Sequence, residues 1–528
     1  MRRIRVMTRV CTAGALALAL VCASCVSGPD YQRPQLNMSD GYKSATAQEA
    51  AQPGLGQDWW RVFQDPELNA LVEEALEANQ NLKAAMARVA QARASAASVK
   101  SSFFPVVTLD PSATRSRRPV SITSSNSTAS TTTGRSQTST TSTDTKTVGS
   151  TGTSFQIPFD LSYEIDIWGR VRRSYEAAQA ETQASVCELE VVRQTLVADV
   201  AQNFFNLRSL DAQERIYARN LALYQEQVDL TEKQFEAGLV NETHVLQAKV
   251  QLESTRVQAA DIRRQRADLE HAIAILLGQP PVEFSLDVRP LDTSIPPVIP
   301  AGLPADLLKR RPDVAEAEQN LASACAEIGV AQANFFPTVK LTGAAGFEST
   351  DIKHSLDWQN RVWSIGPSVS LPIFKGGQLR ANLQKAKARY DELEATYRNN
   401  VLSAFSDVED SLTDLHARAD AAEAQAKAVA AAREYLRLTQ IQYQTGTVDY
   451  LQVMDAEQTL LTNELSEAQI LNQRMASTVL LAKALGGGWE PQPSTSAKEA
   501  APSDTPRTTS NKGQRTKDKG VPRTQEIP

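Results

Sequence analysis

Two uninterrupted stretches of 68 residues, Arg170–Ala237 and Gln378–Thr445, contain neither glycine nor proline. Apolar side chains return in them every three or four positions. They are Leu189, Val192, Leu196, Val200, Phe204 and Leu207 in the first, and Tyr390, Leu393, Tyr397, Val401, Phe405, Val408, Leu412 and Leu415 in the second. That period is helical, with coiled-coil character. At about 1.5 Å per residue each stretch makes a helix about 100 Å long, far beyond the ordinary globular helix of about 11–12 residues. A single compact core cannot absorb such helices. Each run stops at a glycine, Gly238 or Gly446, where a left-handed residue lets the chain reverse. A 39-residue run without Gly or Pro follows each, Leu239–Leu277 and Thr447–Leu485, with Asn241 and Asp449 placed as N-caps. Two further helical segments are expected at about Glu67–Ser102 and about Asp313–Asn334.

The two halves are copies of one another. Gln234-Phe235-Glu236-Ala237-Gly238-Leu239-Val240 returns as Gln442-Tyr443-Gln444-Thr445-Gly446-Thr447-Val448, 208 residues later, and the offset holds from Asp199-Val200 against Asp407-Val408 to Leu277-Gly278 against Leu485-Gly486. Upstream the offset is 232, where Phe103-Phe104-Pro105 recurs as Phe335-Phe336-Pro337. Two long copies imply one architecture built from two structural repeats. The division read from the sequence is 1–24 signal peptide, 25–66 extended N-terminal segment, 67–278 first repeat, 279–303 linker, 304–486 second repeat and 487–528 disordered tail.

Between the helices the period becomes two. Phe155, Ile157, Phe159, Leu161, Tyr163, Ile165 and Ile167 alternate with polar residues, and Trp363, Ile365, Pro367, Val369, Leu371 and Ile373 alternate mainly with Ser and Gly. Partner strands start at Pro105 and Pro337, so the strand pairs span about 105–167 and 337–373. Strands of about ten residues with one apolar face fit a transmembrane β-barrel. Four strands leave two open edges, which hydrocarbon does not tolerate, and the smallest bacterial barrels have about eight. Several chains must therefore share one barrel. The change of offset falls in Ser121–Ser154, mostly Ser and Thr, and reads as an enlarged, solvated external loop.

The chain starts with Arg2, Arg3, Arg5 and Arg9 and an apolar run from Val10 to about Ala23, the order of a signal peptide, too short to span a bilayer. Val21-Cys22-Ala23-Ser24-Cys25 is similar to a bacterial lipoprotein signal, which would make Cys25 the acylated first residue; ordinary cleavage without lipid is the alternative. Val26 after it favours the outer membrane. Cys187 and Cys325 lie inside helical patterns without CxxC spacing and read as small buried apolar residues. The segment beyond Gly486 is rich in Pro, Ser, Thr, Lys and Gly and cannot bury enough apolar surface to fold. The formal charge of −6 argues against nucleic acid as a partner. Four scattered histidines, and no HExxH, GxSxG or P-loop, leave no enzyme, metal or cofactor reading.

Several short motifs, in order along the chain, carry a resemblance. They are Cys25-Val26-Ser27-Gly28-Pro29-Asp30-Tyr31-Gln32-Arg33-Pro34, Trp59-Trp60, Phe63-Gln64-Asp65-Pro66, Tyr163-Glu164-Ile165-Asp166-Ile167-Trp168-Gly169-Arg170, Leu308-Lys309-Arg310-Arg311-Pro312-Asp313-Val314 and Leu371-Pro372-Ile373-Phe374-Lys375-Gly376-Gly377. Over some 450 residues the chain resembles the TolC-like outer membrane efflux protein family, closest to the lipoprotein branch serving RND-type pumps. The resemblance implies an α+β membrane protein: a homotrimer with a twelve-stranded barrel, four strands per chain, continuous with a periplasmic α-helical coiled-coil barrel.

It further implies a passive channel for drugs or other small toxic compounds, held in outer membrane lipid and fed by a periplasmic adaptor and an inner-membrane RND-type transporter. Asp455 matches the family's gate aspartate, a position at which three copies would ring a narrow pore. Gln452 stands where some relatives have a second aspartate, Val448 replaces a basic latch, and Tyr443 remains a gate candidate. Read without the resemblance, Asp455 is a solvated helix residue. The turns Gly238-Leu239-Val240 and Gly446-Thr447-Val448 would contact the adaptor, and both glycines also serve as helix caps. The alternatives are a type I protein secretion channel and, from another class, a periplasmic coiled-coil spacer or adhesin. The alternating strands weigh against a spacer, which has no use for them.

Overall fold

The computed structural model describes residues 26–35, 41–44, 55–125, 143–291, 296–297, 299 and 309–490, with backbone alone for 118–125 and 143–150. Signal-peptide residues 1–24, Cys25 and the tail beyond residue 490 lie outside the described residues. The elements that follow all belong to the unit Met1–Trp489.

In chain order they are α1 (Pro66–Ala78), α2 (Gln80–Lys100), β1 (Val106–Leu109), β2 (Ser112–Ser125), β3 (Thr143–Ile165), α3 (Arg170–Glu236), α4 (Glu242–Leu276), α5 (Pro312–Ala333), β4 (Thr338–Ser349), β5 (Arg361–Ser370), α6 (Gln378–Gln444) and α7 (Tyr450–Ala484). The long helices are 67 residues each and their return helices 35 each. Both ends of α3 and α4 map onto those of α6 and α7 at an offset of 208 (170 to 378, 276 to 484). The start of α2 maps onto that of α5 at 232 (80 to 312).

The expected helix at about Glu67–Ser102 is two helices. Asn79 breaks it: its φ, ψ of −58°, 129° are not helical, and its side chain accepts from Leu82 N–H at 3.0 Å, capping α2. Its amide also donates to the Leu276 carbonyl at 2.8 Å, which ties the break to the end of α4.

All four long helices end the same way. Leu239 N–H bonds to Gln234 O at 2.8 Å and Gly238 N–H to Phe235 O at 2.9 Å, with Gly238 at φ +71°. Thr447 and Gly446 repeat this, as do Gln279 with Gly278 and Gly487 with Gly486. These are Schellman closures, which satisfy the last carbonyls and need a left-handed residue. An added Cβ would meet nothing within 4 Å at Gly238 or Gly446, so conformation and not space selects glycine there.

The strands form one antiparallel sheet in the order β1–β3–β4–β5, with β2 also pairing β3. The expected four strands are five segments in four positions. β1 and β2 lie end to end on the same edge of β3, interrupted at Asp110 and Pro111. The cause is Pro158 inside β3, which cannot donate to the ladder. Opposite it on β4 is Gly346, where an added Cβ would lie 2.1 Å from Ile157 O. The Ser/Thr-rich segment read as a solvated loop is strand at 121–125 and 143–154; the remainder lies outside the described residues. Ile167, Leu371 and Ile373 also fall outside the strands.

Register sorts the two faces. One carries the rungs Leu109–Phe159–Ala345–Trp363, Val107–Leu161–Gly343–Ile365, Tyr163–Leu341–Pro367 and Ile165–Val339–Val369. The other carries Asp160–Ala344–Ser364, Ser162–Thr342–Gly366 and Glu164–Lys340–Ser368. From Phe155 to Ile165 the apolar face runs about 34 Å along the strand at ~3.4 Å per residue. Tilted by about 40°, it covers about 26 Å, close to the apolar band of about 25 Å in transmembrane barrels.

The main core lies where α1, α5 and the linker pack on the long helices. It includes Trp59, Trp60, Leu68, Phe204, Ile299, Leu321, Tyr397, Leu412 and Met475. Arg208 and Asp211, both almost wholly buried, pair at 2.8 Å, and Asp211 also takes Arg266 at 2.7 Å, so these two buried charges are each paired. Cys187 and Cys325 are buried and free, as the helical patterns implied. The tail starts later than Gly487: Gly487 approaches Trp59, Gly488 approaches Gly56, and Trp489 helps line a small cavity with Trp59 and Trp60.

Candidate functional site

The ends of the helical hairpins hold most of the residues singled out by sequence. At the first turn Leu239 is 75% exposed, whereas Val240 is half-buried. At the second, Thr447 is exposed and hydrogen-bonds Thr445 (Oγ1–Oγ1 3.0 Å), and Val448 is half-buried. The apolar surface offered by the turns is therefore Leu239, backed by Phe235 on α3 (45% exposed), and not the two valines. Asp449 caps α7 by accepting from Gln452 N–H at 3.2 Å, while Asn241 at the matching position makes no side-chain cap bond.

Asp455 is exposed on α7, one turn beyond Gln452, whose side chain is also exposed. The partner of Asp455 is Tyr435 on α6, whose hydroxyl donates to Oδ2 at 3.4 Å. Tyr443 is half-buried and packs on Tyr450, ring centroids 6.0 Å apart and tilted by 55°. The fold thus joins Asp455 to α6 through Tyr435, and it sets Tyr443 against the start of α7.

Two acidic residues on α7 matter that sequence reasoning did not single out. Glu457 is half-buried, its Oε2 has no hydrogen-bond partner among the described residues, and burial pushes its carboxyl up to about 7. It interacts with the phenols of Tyr224 on α3 and Tyr450, both themselves pushed up, first by burial and then by Glu457. Glu464 is 5% exposed and is held by Arg219 of α3 and by Arg433 of α6, the latter at 3.1 Å. It lines a cavity of about 700 Å³ bounded by α3, α6 and α7, with Arg215 and Arg474 also in the wall. Both acids fall on the buried stripe Tyr450, Val453, Ala456, Leu461. A charge at an apolar period was the signal that could have found them.

The mature N-terminal segment is clamped where the sheet meets the helices. Asp166 accepts from the N–H groups of Val171 and Arg172 (3.1 and 2.9 Å), starting α3 directly after β3. Ser27 N–H bonds to Trp168 O at 3.0 Å, and Gly28 sits against the Gly329 backbone so closely that a Cβ would lie 2.4 Å away. Arg173 pairs with Asp30 at 2.6 Å, and Arg33 Nε with Glu318 at 2.8 Å. Val26 is therefore held beside Gly169, at the end of the strand region.

No group of His, Cys, Asp and Glu among the described residues is arranged to hold a metal. Among those residues no helix is long and apolar enough to cross a membrane.

A family model described as "Outer membrane efflux protein" matches residues 71–279 and 303–487. The chain is 31% identical over 497 residues to the probable efflux pump outer membrane protein TtgC of Pseudomonas putida, covering 93% of this chain and 98% of that protein. It is 33% identical over 432 residues to the pyoverdine export outer membrane protein OpmQ of Pseudomonas aeruginosa, covering 82% and 87%. Among solved structures, the outer-membrane channel OprN aligns with a TM-score of 0.78 at 31% identity, covering 88% of this chain and all of that one.

Proposed function

The chain belongs to the outer membrane efflux protein family, and from that premise we propose that it is the passive outer-membrane conduit of a tripartite efflux system. The observation that carries this reading is the join of two unlike parts. An open sheet with one apolar face about 26 Å tall leads, through residues 166–169 after β3 and 371–377 after β5, into helix pairs of 67 and 35 residues, twice over. The apolar face needs lipid, and the helices need water and neighbours.

The sheet has two unpaired edges, β1/β2 and β5. In a bilayer those edges must close, and three chains would close them into a twelve-stranded barrel. The same threefold arrangement would set the helix pairs side by side as a periplasmic tube. At the tube's end Asp455 would form a ring of three carboxylates, with Gln452 beside it and Tyr443 packing the turn. Exposed Leu239 with Gly238, and Gly446 with Thr447, would meet a periplasmic adaptor, which links the tube to an inner-membrane RND-type transporter. Energy comes from that pump; this chain supplies a constriction that dilates.

The clamp on Ser27, Gly28 and Arg33 supports acylation of Cys25. It holds Val26 beside Gly169 at the strand–helix junction, the level at which a lipid on the preceding residue could enter the inner leaflet. A strain lacking this protein should accumulate more of a fluorescent efflux substrate, and the wild-type gene should reverse the effect. Unchanged accumulation across a panel of toxic compounds would count against the reading.

A further inference from the structure

The apolar face of the sheet ends abruptly at its outer margin. Phe155 and Ala113 form its last apolar rung on the β2–β3 hairpin. The next rung on the same face pairs Arg115 with Thr153, and the one after pairs Arg117 with Thr151. Residues two apart on a strand share a face, so both arginines stand on the side that faces lipid. Both are exposed, and neither has an ion-pair partner among the described residues. Heights follow from strand geometry. Arg115 is about 7 Å and Arg117 about 14 Å along the strand from Ala113, or about 5 and 10 Å above the apolar band at a tilt of about 40°. The polar headgroup layer on one side of a bilayer occupies about 5–8 Å. Arginine side chains from these positions reach that layer.

A third cation joins them on the neighbouring strand pair. Arg361 shares a rung with Phe347 and Ile157 on the same face, and its guanidinium stacks on Trp358, 4.6 Å from the ring centroid. Trp358, 72% exposed in the β4–β5 connection, places an indole at the margin where interfacial aromatics gather. Two carboxylates in the β4–β5 connection are already engaged: Asp351 accepts from Lys353 N–H, and Asp357 pairs with His354 at 2.9 Å. Glu348, at the same height, is on the opposite face with Gln156.

We propose that Arg115, Arg117 and Arg361 form a binding surface for phosphate-bearing glycolipid headgroups of the outer leaflet. The guanidinium fork suits phosphate oxygens in two-point contact, and three such groups per chain would give the barrel a belt of anion sites along its outer margin. This rests on the barrel reading of the sheet.

The test uses the full-length protein purified in detergent and titrated with bisphosphorylated lipid A, with dephosphorylated lipid A, and with inorganic phosphate, while bound lipid is counted by native mass spectrometry. The wild type should bind the bisphosphorylated form at least tenfold more tightly than the dephosphorylated form. Arg115→Gln/Arg117→Gln/Arg361→Gln should remove that preference, and the triple Lys variant should retain most of it. Equal binding of both lipid forms by the wild type, an unaffected Gln variant, or full competition by millimolar phosphate would each overturn the proposal. Channel currents from the same wild-type sample separate the two readings. Currents without a phosphate preference sink the lipid proposal alone, whereas absence of currents sinks the barrel and the proposal with it.

Discussion

Glu457 offers the most quantitative prediction. Its carboxyl sits in the seam between α7 and α3, and burial moves it from its ordinary 4.5 to about 7. The gap corresponds to a penalty of about 3 kcal/mol on the ionised form. The closed seam holds the proton more tightly than an opened one, in which the carboxyl reaches water. Stability of the seam is therefore greatest below about pH 4.5, falls as pH rises through 4.5 to 7, and carries the whole penalty above about 7. Glu457→Gln removes the charge and nearly keeps the shape. Hydrogen exchange of the amides around Tyr450–Leu461 and Tyr224, expressed as protection relative to intrinsic rates, reads the local opening. At pH 8 the Gln variant should be protected up to about a hundredfold more than the wild type, the equivalent of about 3 kcal/mol. At pH 4.5 the two should match. Wild-type protection that does not change between pH 4.5 and 8, or a Gln variant with the wild-type profile, would refute the reasoning.

Other consequences are more direct. At Gly346 an added Cβ would lie 2.1 Å from the Ile157 carbonyl, so Gly346→Ala should prevent β3–β4 pairing and abolish membrane insertion; Gly366→Ala, in open space, should insert normally in the same fractionation assay. The Glu464 side chain is 6% exposed, whereas those of Arg219 and Arg433 are 53% and 61% exposed. Removing both arginines strands a buried charge at a cost on the order of 3–5 kcal/mol, but Glu464→Gln lets the arginines return to water. The double Arg→Ala variant should therefore melt well below Glu464→Gln. Cys25→Ser should leave a protein lacking acyl mass by intact mass spectrometry; identical masses apart from the substitution would place the lipid elsewhere or nowhere.

The long helices were legible because nothing interrupts them. Absence of Gly and Pro from Arg170 to Ala237 placed the helix end within one residue, and Gly238 and Gly446 announced their own left-handed turns. The Asn79 break was not legible, since an asparagine inside an apolar helical pattern is ordinary until Leu276 supplies the carbonyl that holds its side chain. The hairpin arms at 121–125 and 143–154 were hidden by composition. Ser and Thr read as loop, yet threonine favours strands when a partner fixes the register. At the helix ends, sequence placed the turn glycines at the reversals but offered Val240 and Val448 as adaptor contacts, and both are half-buried. Burial at a helix reversal depends on the facing helix, which a linear pattern does not contain. Glu457 and Glu464 were missed because charge normally marks the solvated face, and only packing of α7 on α3 reverses that meaning.

The proposed water-filled conduit has its narrowest point at Asp455. Single-channel recording of the purified protein in planar bilayers tests it most directly. The wild type should give discrete current steps with a preference for cations, and Asp455→Asn should keep the steps while weakening that preference. Steps of unchanged selectivity in the variant would remove Asp455 from the constriction, and a wild type that gives no steps would contradict the account.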